Sequence, residues 1–176
     1  MSDNITIRSA CESDAAALAR IYAHYVEKTA ITFEYTAPDM VEMERRRQEI
    51  SQHYPYLVAE TDGKVIGYAY AHAFYGREAY AWSVESSIYV DVNARKHGIG
   101  RKLYEAMEEE LKSMGILNIN ACIAVPRDNQ DPYVTNGSMN FHQRLGYTLV
   151  GRFHTSGYKF DRWYDVVWME KMLGPH

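Results

Sequence analysis

The 176-residue sequence predicts an α/β domain built on a mixed central sheet of about seven strands. Segments that alternate apolar and polar residues, or are rich in β-branched and aromatic residues, indicate the strands. Segments whose apolar residues recur three and four positions apart indicate the helices. The predicted order is strand, two helices, three strands, helix, strand, helix and two strands. Neither a repeat nor a linker interrupts it, so we expect one domain over residues 1–176.

The first half of the chain predicts a strand, two helices and a hairpin. Residues 5–10 (ITIRSA) alternate in polarity, as a half-buried strand does. A helix follows from Ser13, and its apolar face is formed by Leu18, Ile21, Tyr22, Tyr25 and Val26. Pro38 and Asp39 are start signals for a second, highly charged helix. Two β-rich runs then flank Asp62-Gly63, a strong signal for a hairpin turn.

The second half predicts a long strand followed by two strand–helix alternations. Residues 79–92 (AYAWSVESSIYVDV) form the strand-like run. An amphipathic helix over residues 99–114 is expected to end at Gly115, and residues 117–125 form the next strand. A short helix over residues 136–145 precedes Gly146. Residues 147–153 and 163–173 close the predicted sheet.

Composition restricts the classes of function. A net charge of −4, from 19 basic and 23 acidic residues, argues against broad binding to nucleic acid or anionic membranes. No apolar run approaches the roughly 20 residues of a membrane span, and the N-terminus lacks a signal-peptide pattern, so we expect a cytoplasmic protein. Cys11 and Cys122 are the only cysteines and cannot form a disulfide framework or a zinc site alone. We expect both to be buried, to have no nucleophilic role, and no metal to be bound.

The stretch IYVDVNARKHGIGRKLYEAMEEEL (residues 88–111) passes from a strand through a basic glycine turn into a helix. A turn of backbone amides before a helix N-terminus is a common phosphate site. A P-loop would need Lys-Ser/Thr after its second glycine, but Gly100 is followed by Arg101 and Lys102. A dinucleotide-binding turn would need a third glycine where Leu103 stands. The turn therefore predicts binding of another phosphate-bearing ligand.

The turn Arg95-x-x-Gly98-x-Gly100 resembles the R/Q-x-x-G-x-G/A signature of the GNAT N-acyltransferases, which use acyl-CoA. NGSMNFHQRLGY (residues 136–147) resembles the second CoA motif of that family. VESSIYV (residues 84–90) and GYKFDRWYDV (residues 157–166) resemble the phosphinothricin N-acetyltransferase branch. The resemblance implies the GNAT fold with helices on both sheet faces, acetyl-CoA as co-substrate, small amino acids as acceptors and a homodimer.

The resemblance also assigns residues to the cofactor. The pyrophosphate would be held by the turn residues Arg95, Lys96, His97, Gly98, Ile99 and Gly100. Ile88, Tyr89 and Val90 would contact the acetyl and pantetheine arm through the main chain, where a bulge would expose an oxyanion-binding amide. Arg144 matches a CoA-contacting position, and Asn136 matches the asparagine that bonds the pantetheine arm. The loop before Asn136 is longer than expected, and Asn129 is the alternative.

Glu85 and His142 are the candidate catalytic residues. The acceptor amine is protonated at neutral pH, so a base must remove its proton before attack. Glu85 lies within an apolar, aromatic run, where burial would raise the pKa of its carboxyl group; a structural, ion-paired glutamate is the alternative. His142 stands where many GNAT enzymes carry the tyrosine that protonates the leaving thiolate. A purely structural histidine is the alternative there.

Arg77 aligns with a basic residue of the branch that faces substrate, and the resemblance makes it the candidate partner of an acceptor carboxylate, which a guanidinium binds through two parallel hydrogen bonds. A solvated loop arginine is the alternative. Tyr75, with Phe33, Tyr35, Tyr80 and Trp82, could line an amine pocket, although most aromatic residues are expected in the core. Lys159, Trp163 and Asp165 match the branch and are expected to serve structure or dimer contacts.

Three functions remain open from the sequence. The first is an acetyl-CoA-dependent transferase acting directly on the α-amine of small amino acids or mimics such as phosphinothricin, methionine sulfoximine or methionine sulfone. The second keeps the donor and uses a polyamine, an aminoglycoside or a peptide N-terminus as acceptor. The third is a non-catalytic acyl-CoA sensor, against which the presence of Glu85 argues.

Overall fold

The computed structural model describes residues 4–94 and 98–176. Its elements follow the predicted order. The strands and helices are β1 (Thr6–Ser9), α1 (Ala15–Lys28), α2 (Met40–Ser51), β2 (Tyr56–Thr61), β3 (Lys64–Ala73), β4 (Ser83–Val90), α3 (Ile99–Ser113), β5 (Asn118–Val125), α4 (Gly137–Arg144), β6 (Thr148–Lys159) and β7 (Arg162–Met172). Short 3-10 turns at Glu12–Asp14, Glu78–Tyr80 and Val92–Ala94 join them.

The seven strands form one mixed sheet in the order β1-β2-β3-β4-β5-β7-β6. The β4–β5 pair is parallel, and each of the other neighbouring pairs is antiparallel. Helix α3 packs on one face over Leu57, Ala59 and Val84. Helices α1 and α2 cover the other face over Tyr56 and Val58. Alternation along β2 supplies both cores, and the prediction of a mixed sheet with helices on both faces is confirmed.

Local signals determined several boundaries correctly. Asp62 and Gly63 have φ values of 49° and 73° and join β2 to β3 in a two-residue turn, as predicted. Gly115 follows the end of α3 with a φ of 82°, a conformation typical of a helix C-terminus. Asp39 caps α2 by accepting a hydrogen bond from the Glu42 amide at 2.9 Å.

The predicted strand over residues 79–92 is shorter in the structure. Residues before Ser83 form a 3-10 turn at Glu78–Tyr80, and Val90 is the last residue of the strand. Asp91 starts another turn, because its carboxylate accepts a hydrogen bond from the Asn93 amide at 2.9 Å. Aromatic and β-branched composition extended the prediction beyond the residues that have a strand partner.

The segment between α1 and α2 is attached to the β6–β7 hairpin. The Lys159 ammonium donates a hydrogen bond to the Thr32 carbonyl oxygen at 2.8 Å, and the Tyr35 hydroxyl donates one to the carbonyl oxygen of Tyr158. The ring of Phe33 lies over Gly157, where a Cβ atom would come within 2.2 Å of it. This contact explains a glycine near the end of β6.

Asp165 and Lys159 each make hydrogen bonds that hold neighbouring segments of the fold together. The buried Asp165 carboxylate accepts hydrogen bonds from the Thr155 amide at 2.8 Å and from Arg152 at 2.7 Å. These donors lower the pKa of its carboxyl group against the effect of burial. Trp163 is 53% exposed on the β6–β7 hairpin.

Over residues 4–94 and 98–176, the helices are too short or too polar to cross a membrane.

Candidate active site

Strands β4 and β5 are paired for only part of their length. Their register runs from Ser83↔Asn118 to Glu85↔Asn120 and ends there. The strands then diverge, and a narrow space of about 50 Å³ lies between them. Its walls include Ser86, Ser87, Ile88, Tyr89, Tyr104, Cys122 and His142. Glu85 therefore lies at the point where the two strands separate.

A larger cavity of about 550 Å³ adjoins this space, and Ile31, Ile88 and Ser138 border both. Elements α1, β4, α3 and α4 contribute its walls, which are Tyr25, Ile31, Ile88, Val90, Gly98, Ile99, Gly100, Arg101, Thr135, Gly137, Ser138, Phe141, Arg144 and Leu145. Six residues predicted to bind the cofactor are among them: Ile88, Val90, Gly98, Ile99, Gly100 and Arg144. Arg95, Lys96 and His97 lie outside the described residues.

The two glycines of the turn have different structural reasons. Gly98 precedes α3 with a φ of 72°, in the left-handed region that favours glycine. Gly100 is helical, and a Cβ atom there would come within 2.9 Å of the Phe141 ring on α4. Gly98 therefore shapes the turn, and Gly100 lets α3 approach α4 at the cavity wall.

The backbone of β4 faces the cavity at alternate residues. Phe74 donates to the Ser83 carbonyl oxygen and Asp91 donates to that of Ile66, so odd-numbered residues of this stretch bond β3. Alternation in an antiparallel pair then directs the backbone groups of Ser86, Ile88 and Val90 away from β3. This geometry favours a main-chain contact from Ile88 and argues against the one predicted for Tyr89.

The expectation of a bulge in β4 is wrong. The β3–β4 register runs without a shift from Gly67↔Val90 to Ala73↔Val84. The divergence of β5 exposes the amides instead. At Val90 the Tyr25 hydroxyl takes the place of a partner on β5. It accepts a hydrogen bond from the Val90 amide at 3.2 Å and donates one to the Val90 carbonyl oxygen at 2.6 Å.

Glu85 faces a histidine that the sequence analysis did not identify. His72 is its cross-strand neighbour on β3, and the His72 Nε2 atom lies 3.9 Å from the Glu85 carboxylate. Burial raises the pKa of the Glu85 carboxyl group, as predicted, and the charge of His72 acts in the opposite direction. Tyr68, Tyr70 and His72 alternate along β3 (YAYAH), a pattern that could have indicated this shared face.

His142 is buried in α4 and belongs to a polar cluster beside the narrow space. Its Nε2 atom lies 2.9 Å from the Tyr104 hydroxyl, and its Nδ1 atom lies 2.8 Å from the Ser138 carbonyl oxygen. The Tyr104 hydroxyl also lies 3.2 Å from Ser86 Oγ. Burial lowers the pKa of His142 and raises that of Tyr104. The sequence analysis did not identify Tyr104 as part of the site.

The two asparagine candidates differ in position. Asn136 precedes α4, and its carbonyl oxygen accepts from the Asn140 amide at 2.9 Å. Its neighbours Thr135 and Gly137 border the larger cavity. Asn129 is exposed in the loop before α4. The structure therefore favours Asn136 as the residue next to the cavity, and its contact with a ligand stays a prediction.

Arg77 and Tyr75 lie in the exposed loop between β3 and β4, which begins two residues after His72 and ends three residues before Glu85. Tyr75 is 56% exposed, and its ring contacts those of Phe74 and Tyr80. The Phe74 ring also contacts Trp168 on β7. Phe33 and Tyr35 instead contact the β6–β7 hairpin.

Both cysteines are exposed, so the expectation that they are buried is wrong. Cys11 lies in the turn before α1, next to Ser13 and Asp14. Cys122 lies at the edge of the narrow space, because β5 diverges from β4 before reaching it. Partial burial among the walls of this space, and then the negative charge of Glu85, raise the pKa of the Cys122 thiol to about 12, which disfavours a thiolate. Within the described residues, no group of acidic, histidine and cysteine side chains could hold a metal ion.

Comparisons with known proteins agree with this architecture. The model of the acetyltransferase (GNAT) domain family matches residues 7–168. The phosphinothricin N-acetyltransferase of Streptomyces viridochromogenes is 34% identical over 92% of this chain and 84% of its own. The L-methionine sulfoximine/L-methionine sulfone acetyltransferase of Salmonella typhimurium is 31% identical over 98% and 96%.

Solved structures give the same result. The crystal structure of a GNAT superfamily phosphinothricin acetyltransferase from Sinorhizobium meliloti, in complex with acetyl-CoA, superposes with a TM-score of 0.87 at 36% identity. The match covers 99% of this chain and 90% of that one. A family model over most of the chain, relatives above 30% identity and a shared fold all point the same way. The chain belongs to the GNAT acetyltransferase family.

Proposed function

We propose that this protein transfers the acetyl group of acetyl-CoA to the α-amine of small amino acids or their mimics. Phosphinothricin, methionine sulfoximine and methionine sulfone are the first candidates, because the relatives named above act on them. The observation that carries the proposal is the location of Glu85. A carboxyl group with a raised pKa lies where β4 and β5 separate, next in sequence to Ser86, which lines the narrow space beside the larger cavity.

We assign acetyl-CoA to the larger cavity. The N-terminal turn of α3 would bind its pyrophosphate, because Gly98–Gly100 expose backbone amides at the positive end of the helix dipole. Arg144, at the far end of α4, adds a positive charge on the same cavity. The backbone of Ile88 lies beyond the paired part of β4 and β5, faces this space and would contact the acetyl end.

The proposed mechanism is direct transfer. Glu85 removes a proton from the acceptor ammonium, and the free amine attacks the thioester carbonyl. An amide of the diverging part of β4 stabilises the negative charge that develops on the carbonyl oxygen. The thiolate of CoA leaves and takes a proton, for which Tyr104 and His142 are the nearest candidate donors in the narrow space. The raised pKa of Cys122 argues against an acetyl-cysteine intermediate.

Recognition of the acceptor is proposed for the loop between β3 and β4. Arg77 would pair with the carboxylate, and the rings of Phe74, Tyr75 and Tyr80 would contact the side chain. The loop joins the strand ends that carry His72 and Glu85. An amino acid whose α-amine lies at Glu85 would therefore have its carboxylate near the loop.

The experiment that tests the function is release of CoA thiol from acetyl-CoA with a panel of amines. We expect turnover with methionine sulfoximine, methionine sulfone and phosphinothricin. Turnover with spermidine, an aminoglycoside or a peptide, and none with these amino acids, would assign a different acceptor. Thermal stabilisation by CoA without turnover on any amine would instead favour a sensor.

We also propose that the protein is a single-domain, cytoplasmic homodimer. One continuous sheet of seven strands supports the single domain. The β6–β7 hairpin at one end of the sheet carries exposed apolar side chains, namely Leu149, Val150, Phe153, Tyr158 and Trp163. A second copy would cover such a surface best. Light scattering after gel filtration tests this: a dimer that becomes monomeric on Phe153→Glu supports it, and a monomeric wild type contradicts it.

A further inference from the structure

We propose that His72 is the positioning residue of the candidate base and the exit for its proton. In this proposal Glu85 takes the proton from the acceptor amine, and His72 orients the carboxylate and passes the proton to solvent. The inference rests on the proposed function of Glu85. It extends that function from one residue to a cross-strand pair.

The two side chains are fixed on the same face of the sheet. His72 and Glu85 are opposite each other in an unbroken antiparallel register, so both side chains project from the same face of the sheet. The His72 Nε2 atom is 3.9 Å from the Glu85 carboxylate, and once Glu85 has taken a proton, a small rotation of either side chain would let its carboxyl group donate a hydrogen bond to Nε2.

The orientation of the imidazole ring suits proton acceptance. The His72 Nδ1 atom lies 3.0 Å from the carbonyl oxygen of Ala73. A carbonyl oxygen only accepts, so Nδ1 carries the hydrogen in this bond and the neutral ring directs the lone pair of Nε2 toward Glu85. A proton that arrives at Glu85 therefore finds an acceptor beside it.

Other ionisable groups around Glu85 do not compete for this role. Tyr70 on β3 and Cys122 on β5 both have raised pKa values and are neutral at physiological pH. Glu34 and Arg46, which influence Tyr70 from the α1–α2 side, are paired with each other at 2.6 Å. His72 remains as the neighbour of Glu85 whose ring nitrogen can take up the proton.

The stoichiometry of the reaction requires such an exit. An ammonium and acetyl-CoA yield an amide, CoA thiol and one proton. The acceptor nitrogen loses two hydrogens, of which the thiolate takes one, and the other must reach water in every cycle. The Glu85 side chain is 24% exposed and faces the site that the substrates would fill, whereas that of His72 is 38% exposed. His72 therefore keeps a route to solvent when Glu85 is covered.

The test compares His72→Gln with the wild type and with His53→Gln, a matched change at an exposed histidine after α2. Glutamine preserves a polar side chain but cannot carry the proton. We expect the acidic limb of kcat/KM to move upward by roughly half to one pH unit, because a protonated His72 lowers the pKa of the Glu85 carboxyl group and glutamine cannot. We expect kcat to fall at least tenfold and KM for both substrates to change less than threefold.

Chemical rescue separates proton transfer from structure. Added imidazole buffer should restore the turnover of His72→Gln severalfold and leave the wild type and His53→Gln unchanged. A pH profile of His72→Gln that superimposes on the wild type, with no effect of imidazole, would overturn the proposal. If the variant does not fold, NMR titration of the wild-type Glu85 carboxyl carbon decides: two coupled steps support the pair, and one step contradicts it.

Glu85→Gln, measured in parallel, distinguishes the two levels of the proposal. Near-normal turnover of Glu85→Gln would refute the assignment of Glu85 as the base, and with it the role of His72. An inactive Glu85→Gln beside an unaltered His72→Gln would leave the proposed function intact and remove only the role of His72.

Discussion

The Nε2 atom of His142 lies 2.9 Å from the Tyr104 hydroxyl, and both side chains are buried. The Nδ1 atom bonds the Ser138 carbonyl oxygen at 2.8 Å, so the hydrogen of the neutral ring is on Nδ1 and Tyr104 donates to Nε2. Burial lowers the pKa of His142 and favours this neutral form. A role of His142 as acid thus requires that a proton reach it through Tyr104.

His142 should make stability depend on pH in the weakly acidic range. Because its pKa is lowered in the folded state, the unfolded chain binds a proton more readily. The contribution to stability is complete above the unfolded pKa of about 6.5 and is lost as pH falls below it. Urea unfolding measures the free energy of unfolding at pH 7 and at pH 5. The decrease between the two pH values should be smaller for His142→Gln than for the wild type, and equal decreases would contradict the assignment.

Glu85→Gln should separate binding from catalysis. The amide has nearly the shape of the carboxylate but cannot take a proton, so we expect kcat to fall by about 10²- to 10⁴-fold. The affinity for acetyl-CoA should remain within about threefold, since Glu85 is absent from the walls of the larger cavity. Steady-state kinetics and calorimetric titration of acetyl-CoA measure both, and near-normal rates across pH would exclude the role of base.

The two turn glycines should respond differently to alanine. At Gly98 a Cβ atom meets nothing within 4 Å, so Gly98→Ala should cost only the left-handed backbone strain of about 1–2 kcal/mol. Gly100→Ala would force the Phe141 ring away from α3. Phe141→Leu should therefore recover part of the stability of Gly100→Ala and none of that of Gly98→Ala. Urea unfolding of the single and double variants tests this, and equal recovery would refute the packing explanation.

Asp14 should stabilise the fold above its ordinary titration range. The Arg8 guanidinium donates to both carboxylate oxygens, at 2.8 and 2.9 Å, and lowers the pKa of this buried carboxyl group. Its contribution is therefore complete above the unfolded pKa of about 3.9 and is lost as pH falls below it.

Asp14→Asn should lower the free energy of unfolding by about 1.5–3 kcal/mol at pH 7 and by much less near pH 2.5. Glu109→Gln, at an exposed position of α3, is the control and should change little at either pH. Chemical unfolding at the two pH values measures the effect. A loss that is equal at both would point to packing and not to charge.

Much of the fold could be predicted because its signals are local. The order of the elements follows from periodicity, the β2–β3 turn from Asp62-Gly63, and the end of α3 from Gly115. The cofactor turn was also local, since Gly98 and Gly100 recur at a fixed spacing before a helix. The over-long strand prediction for residues 79–92 was wrong because strand limits depend on partners that composition does not reveal.

The sequence by itself determined the elements, the family and the candidate base Glu85. Only the tertiary structure decided what surrounds that residue: the opposition of His72 and Glu85, the separation of β4 from β5, and the bonding of Val90 to Tyr25. Each of these contacts joins residues of different elements, and Tyr25 and Val90 are 65 positions apart. A backbone or side-chain pairing across a sheet depends on register and divergence of strands, which arise only when the helices and strands pack together.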